Sequence, residues 1–539
     1  MGQEKKKSSS FVQQAAILAV AGILVKVFGF LYRLPLTNMI GDEGNGIYSA
    51  GYYLYSFFLV LSSAGIPAAI SKMISERVSL GEYSNVKRIL KVSFWISGSV
   101  GAICSLVMFF GAQWFCDAIK SPRSYYAILT LSPTIFVVAL LAVFRGFFQG
   151  LGTMVPTAVS QVVEQIFNAI FSVLLAYLWI GKGVEYGAAG GTTGTGIGAF
   201  AALVFAFVSY IILKESIYKS LWKKRSKKIY KKASSNAIAA ELVKITVPII
   251  TGSAIFSITN LIDMQMVSSR LTDCGAFTEA QITALYGQLT GKYVTITAVP
   301  IALSASVATA VIPSIAASNV RRDRRAVRDK IRMTIRLTMI LTIPSAVGMG
   351  ILGSEILKML FPNYAEGGSL FLIGIGSIVF LALSQIVTGI LQGIGKVHIP
   401  AINALIGALV KIPINYFLIV LPYMNVKGAI ISTTACYCVA ASLNLLALVK
   451  YTGVTPDFMG AFIKPTASAV IMAIGCRLSY DLLFYLTSNN MISTLLAIAF
   501  GIIVYIGLLA VMKGLKKDDV LMMPMGRKLV VLLERFKMI

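Results

Sequence analysis

Charge is what this chain has least of. Only 13% of its 539 residues are Asp, Glu, Lys or Arg, with 22 acids and a single histidine. A soluble protein of this length needs a far larger charged surface, so a soluble fold is excluded. The one histidine, His398, stands beside Pro400 with no second histidine to join it, which leaves no histidine-based metal or acid–base site. Six cysteines form no spaced framework, and Cys104, Cys436, Cys438 and Cys476 fall inside apolar runs. Cys436 and Cys438 are two apart, so on a helix they point in different directions and serve as small packing residues. No metal and no cofactor are expected. The stretch Gly187–Gly196 superficially resembles a phosphate loop, yet it lacks the Lys-Ser/Thr ending and no strand precedes it. It reads as a flexible lead into the next apolar run. No ATPase signature occurs elsewhere, so any transport must run on a gradient or downhill. The first apolar run is long, is interrupted by Lys26 and has no small-x-small site, so a cleaved signal is not expected. Lys6 stands where N-myristoylation after Met1-Gly2 would need Ser or Thr.

What is present is apolar length. Hydrophobic residues make up 57% of the chain, and the mean hydropathy is +0.80. About 14 runs are long enough to cross a bilayer as helices, near 11–34, 46–70, 92–113, 125–149, 157–180, 192–213, 241–267, 285–313, 333–353, 368–392, 400–421, 428–450, 461–487 and 492–512. Barrel strands are shorter and alternate, so the fold class is an all-α polytopic membrane protein. The net charge of +26 would suggest nucleic acid in a soluble protein. Here the basic residues are sorted into alternate loops: Lys5 to Lys7, Lys72 to Lys91, Lys214 to Lys232, Arg321 to Arg325, and the C-terminal tail. That is the positive-inside pattern, which predicts both termini on the cytoplasmic side and basic loops against anionic lipid heads. No nucleic-acid partner is expected.

A phrase occurs twice. Phe147-Phe148-Gln149-Gly150-Leu151-Gly152 precedes Pro156, and Ile390-Leu391-Gln392-Gly393-Ile394-Gly395 precedes Pro400. Each copy ends one apolar run and opens the next. Ile66-Pro67 and Ile312-Pro313 make a second matching pair. Spans one to six therefore map onto seven to twelve, two halves of the same orientation, with spans thirteen and fourteen appended. The expected organisation is a six-helix lobe over 1–213, a basic linker over 214–240, a second six-helix lobe over 241–450, and a helix pair with a basic tail over 451–539.

An ionisable group within a membrane span costs roughly 2.5–3.5 kcal/mol or more, so each is a functional candidate. Lys26 and Arg33 lie seven apart in span one and share a helical face. Span five holds Glu164 and Asn168, span seven Asn260 and Asp263, and span eight Lys292. Span eleven holds Lys411 and Asn415, and span thirteen Arg477 and Asp481. Cations outnumber acids, so a cavity carrying Lys26, Arg33 and Lys292 favours a polyanion such as pyrophosphate. Asp263 either binds a coupling ion or pairs with Lys411. Arg477 and Asp481 are placed for an intrahelical pair. A membrane-embedded polymerase or ligase would need an external catalytic loop. The loops carrying Asp42, Glu43, Asp117, Glu185 and Glu366 are short, and an enzyme is not expected.

The chain resembles the polysaccharide-transporter branch of the multidrug/oligosaccharidyl-lipid/polysaccharide exporter superfamily, with the nearest likeness to MurJ-type lipid II flippases and the stage V sporulation protein B group. The likeness rests on Val25-Lys26-Val27-Phe28-Gly29-Phe30-Leu31-Tyr32-Arg33, on the Gly-Ile-Tyr opening of span two, on Arg145-Gly146-Phe147-Phe148-Gln149-Gly150-Leu151-Gly152 into Pro156-Thr157, and on the copy at 389–400. The resemblance implies two six-helix lobes around a cavity open alternately to each side, with spans thirteen and fourteen forming a groove for a lipid tail. It implies that Lys26, Arg33 and Lys292 face a lipid pyrophosphate, whereas the helix-two cation of the family falls on the apolar segment Phe57–Leu61. Asp263 and Asn415 fall near a sodium site of some relatives, with Lys411 alongside. The implied activity is export of a lipid-linked saccharide across the plasma membrane, with membrane lipids and cell-wall or sporulation machinery as partners. The repeat turns Gln149, Gly150, Gly152, Pro156, Gln392, Gly393, Gly395 and Pro400 would serve as gates.

Overall fold

The computed structural model describes residues 17–18, 20–223, 233–320 and 323–514. Every regular element among them is helical. Twelve of these helices are long and apolar enough to cross a membrane, with Val20–Leu31 a shorter apolar helix. The described part of each expected span is helical, in one helix or in two or three, so the all-α reading holds and the number fourteen is approximate.

The first helix, α1, runs over 20–40. Its backbone continues through Tyr32, whose N–H donates to Phe28 O at 3.1 Å. It ends at Gly41, where φ is +68°, a value that favours glycine. Asn45 closes this turn by donating to Gly41 O at 2.9 Å. Helix α2 follows over 42–63. It stops at Gly65, with φ of +82°, before α3 (Ile66–Ser79). The run expected over 46–70 is therefore two helices, because an αL residue and Pro67 force a break inside a continuously apolar stretch. Then come α4 (Tyr83–Phe110), the short α5 (Ala112–Ala118), α6 (Tyr125–Gly150), α7 (Val155–Trp179) and α8 (Val184–Lys223).

Gly187–Gly196 is not a flexible lead: it lies inside α8. A Cβ on Gly190 would strike the Leu175 carbonyl, one on Gly194 the Ser172 backbone, and one on Gly198 the Glu164 carbonyl. The glycines are four apart and form a stripe on which α7 and α8 pack backbone to backbone. Ser172 seals the seam by donating to Gly191 O at 2.7 Å. In water such a run would be loose. In lipid, close packing is the main force between helices, and small residues permit it.

The chain continues through α9 (Ser235–Cys274), α10 (Glu279–Gly287), a π-helical turn (Gln288–Val294), α11 (Thr295–Val320), α12 (Arg324–Leu360), the short α13 (Ser369–Ile373), α14 (Ile375–Gly393), α15 (His398–Leu418), α16 (Val426–Thr452), α17 (Lys464–Thr487) and α18 (Asn490–Val511). By compactness the residues form two units. One holds those up to Ser269 with Glu279–Gly287, and the other holds Arg270–Thr278 with Gln288 onward. Most of α9 is thus counted with the first unit. Part of the expected linker, 224–232, and the basic tail from 515 lie outside the described residues.

The repeated phrase is a helix stop built the same way twice. Gly152 (φ +75°) and Gly395 (φ +84°) are left-handed, and their N–H groups donate to the carbonyls of Gln149 and Gln392, each at 3.0 Å. The next N–H groups, of Thr153 and Lys396, reach back to Phe148 and Leu391. This is a Schellman cap in both copies. Gly146 and Gly150 let α6 approach α3, where a Cβ would meet Pro67, Ile70 and Ile74. Gly389 and Gly393 let α14 approach Ile312 of α11. The phrase and the Ile-Pro pair recur together because they touch.

In the second unit α17 and α18 are fastened to α12. Tyr505 donates to Ile340 O at 2.9 Å. Arg477 pairs with Asp481 one turn on, at 3.0 Å, and also with the buried Glu355 of α12, at 2.9 Å. The expected intrahelical pair is therefore part of a triad that docks the appended helices.

Candidate functional site

The interior of the first unit is organised around Arg33. Two features of α1 place it there. Arg33 is followed by Leu36, Thr37 and Ile40, which bury against the unit, while Leu31 and Pro35 stay exposed. The half-buried arginine does not run along the helix to an interface. Its guanidinium lies over the ring of Tyr48 at 4.4 Å, with the Tyr52 ring at 6.0 Å. Tyr48 is fully buried, stacks on Tyr52 with centroids 6.0 Å apart, and meets the Tyr32 hydroxyl at 3.4 Å. A cation over aromatic faces keeps most of its hydrogen-bond donors unused, so it can hold an anion while its charge is partly compensated. Lys26, two turns earlier on the same face, is exposed.

The helix-two cation position stays apolar over Phe57–Leu61, and the earlier part of α2 carries the tyrosines Tyr48, Tyr52, Tyr53 and Tyr55. Tyr53 lies within the electrostatic reach of both Arg33 and Asp263, and Asp263 also reaches Tyr286. Asp263 of α9 therefore belongs to this first-unit cluster. Glu164 pairs with Arg145 at 2.7 Å, and Arg145 also donates to Ser160 at 3.0 Å. Asn168 accepts from Ser172 at 2.8 Å. At the start of α2, Arg123 bridges Glu43 and Glu185, which ties the starts of α2, α6 and α8 together.

The other candidates lie in the second unit. Lys292 is 1% exposed, and its ammonium donates to the carbonyls of Tyr364 at 2.6 Å and Glu366 at 2.9 Å. The π-helical turn that carries it widens the backbone enough to aim the side chain at that loop. Gln288 fixes the same loop through Glu366, at 3.0 Å. Lys411 is 2% exposed, and Asn415, one turn later, accepts from Ser432. Arg33, Asp263 and the tyrosine fan thus belong to one unit, and Lys292, Lys411 and Asn415 to the other. The charges missed in sequence include Arg145, just ahead of the repeated phrase, Glu355, and the buried Arg336, which pairs with Asp457 at 3.5 Å. The signal for each was an ionisable residue within or at the end of a helix-length apolar run. Among the described residues no group of His, Cys, Asp and Glu could hold a metal ion.

A family model described as polysaccharide biosynthesis protein matches residues 11–319. The chain belongs to this polysaccharide biosynthesis protein family. A second model, MatE, matches residues 289–417. Among curated relatives of this family member, stage V sporulation protein B of Bacillus subtilis is 26% identical over 527 residues, covering 97% of this chain and 99% of the relative. Lipid II flippase MurJ of the same organism is 25% identical over 463 residues, covering 83% and 84%. In fold, the chain is similar to the inward closed conformation of lipid II flippase MurJ, with a TM-score of 0.68 at 17% identity, covering 92% of this chain and 98% of that one. An inward-facing multidrug resistance MATE family transporter of the MOP superfamily gives 0.66 at 14% identity, covering 82% and 98%. The protein is a multi-pass membrane protein of the polysaccharide biosynthesis protein family. Its relatives named for an activity are transporters, not enzymes.

Proposed function

We propose that this protein is a plasma-membrane flippase that moves an undecaprenyl-pyrophosphate-linked saccharide, lipid II or a related cell-wall precursor, to the outer leaflet by alternating access. The observation that carries the reading is Arg33 held over Tyr48 inside an apolar helical unit, with Lys26 two turns away on the same face. A guanidinium held among buried rings, with an exposed ammonium two turns away, suits a pyrophosphate far better than a cationic drug. The sorted basic loops support cytoplasmic termini. Lys292 would join the anion site only by giving up the carbonyls of Tyr364 and Glu366. Asp263 serves as the coupling group, with Lys411 and Asn415 as the internal cation and amide of the other unit. The repeat turns, capped identically in both halves, are the pivots.

Proteoliposomes test this reading. Wild-type protein should carry a fluorescent polyprenyl-pyrophosphate saccharide between leaflets, and Lys26→Ala/Arg33→Ala should not. Equal transport by the double variant at equal incorporation would sink the site. The match to a polysaccharide biosynthesis family favours one further reading, export of a capsule, exopolysaccharide or teichoic acid unit. That reading predicts transport of the same lipid carrier with a different glycan.

A further inference from the structure

The ion pair between Arg145 and Glu164 is more charge than its position requires. The step of 243 residues that carries Gln149 onto Gln392 also carries Arg145 onto Thr388 and Ser160 onto Asn403. In the second unit that place is filled by neutral groups. Asn403 donates to Asn444 at 2.8 Å, and Asn444 donates to Thr388 at 3.2 Å. Amides and a hydroxyl therefore suffice to tie these helices together. A guanidinium and a carboxylate in lipid-embedded helices carry a desolvation cost that the neutral version avoids.

The pair is also reachable. The Arg145 and Glu164 side chains keep 15% and 29% of their surface accessible. Both Arg33 and Glu164 lie within electrostatic reach of Tyr52, and Glu164 also reaches Tyr55. One tyrosine fan thus lies under Arg33, which has no carboxylate partner among the described residues, and near Glu164, which covers Arg145.

We propose that Arg145 is a second phosphate-binding guanidinium, masked by Glu164 in this conformation and handed over when a phosphate-bearing lipid reaches Arg33. This rests on the anion-site reading above and deepens it. The incoming phosphate replaces the Glu164 carboxylate on the planar fork of Arg145, a like-for-like exchange of oxyanions. The released carboxylate then faces Tyr52 and Tyr55. Ser160, fully buried and bonded to the Arg145 Nε at 3.0 Å, holds the guanidinium in place through the exchange.

Farnesyl diphosphate is the probe, titrated into the purified full-length protein and its variants in detergent, with monodispersity and Tm recorded for each. Glu164→Gln removes the mask and should tighten binding roughly tenfold, the scale of taking one repelling charge from an anion site. The gain should vanish in Glu164→Gln/Arg145→Gln and survive in Glu164→Gln/Arg145→Lys. Arg33→Gln alone should weaken binding whatever happens at Glu164, which tests the anion-site reading separately. Binding unchanged or weaker in a folded Glu164→Gln, or a gain that persists without Arg145, overturns the proposal and makes the pair interhelical glue. No binding by either the wild type or Glu164→Gln overturns both readings. Should Glu164→Gln lose its fold, Glu164→Asp shortens the mask and carries the same signs.

Discussion

The guanidinium of Arg33 lies 4.4 Å from the centre of the Tyr48 ring, and Tyr48 is itself fully buried. A cation held this way in a desolvated setting gains on the order of 0.5–2 kcal/mol from the ring face. Tyr48→Phe keeps the face and loses only the long hydroxyl contact to Tyr32, so transport should stay near wild type. Tyr48→Leu removes the face and should lower transport severalfold at equal expression. Equal behaviour of the two variants in the proteoliposome assay would show that the ring face does not position Arg33.

The glycine stripe of α8 predicts a steep stability loss. Gly194→Val puts a branched side chain into the Ser172 backbone and must part α7 from α8. A loss of about 3 kcal/mol or more is expected, at the severe end for single substitutions. Gly181, outside the stripe with open space around it, is the control. The thermal midpoint in detergent reads both.

The two Schellman caps predict matched effects. Gly152→Ala and Gly395→Ala meet open space, so each pays only for its left-handed backbone, roughly 1 kcal/mol. Similar small drops in Tm are expected. If one position instead abolished transport without a change in Tm, that turn would be a moving part and not only a stop.

Lys292→Met leaves the carbonyls of Tyr364 and Glu366 without their ammonium donor, at a cost of about 1–3 kcal/mol. The loop around them should become more exchangeable to deuterium, and Tm should fall. A variant with unchanged protection and Tm but no transport would return Lys292 to the substrate site.

Much of this fold was legible because lipid imposes simple rules: apolar run length gave the helices, and the repeated phrase gave the stop at Gly152 and Gly395. Sequence reasoning failed where composition has opposite meanings in water and lipid. Gly187–Gly196 looked like a loose lead, yet its glycines are what let α8 lie on α7. The break at Gly65 was invisible because the apolar pattern runs straight through it. At the site, spacing showed that Lys26 and Arg33 share a face, but not that tyrosines of α2 would receive the guanidinium. Arg145 reads in sequence as part of a motif and Glu164 as the neighbour of Asn168 one turn on. Their pairing is a tertiary fact, a contact between α6 and α7 over 2.7 Å.

We propose that this chain carries a lipid-linked cell-wall precursor across the membrane. The most direct measurement is rescue of a bacterium depleted of its own lipid II flippase, with membrane levels of this protein confirmed and outer-leaflet lipid II assayed. The account predicts sustained growth and outer-leaflet lipid II with the wild type, and lysis with Lys26→Ala/Arg33→Ala. Lysis with well-expressed wild type, or growth with the double variant, would contradict it.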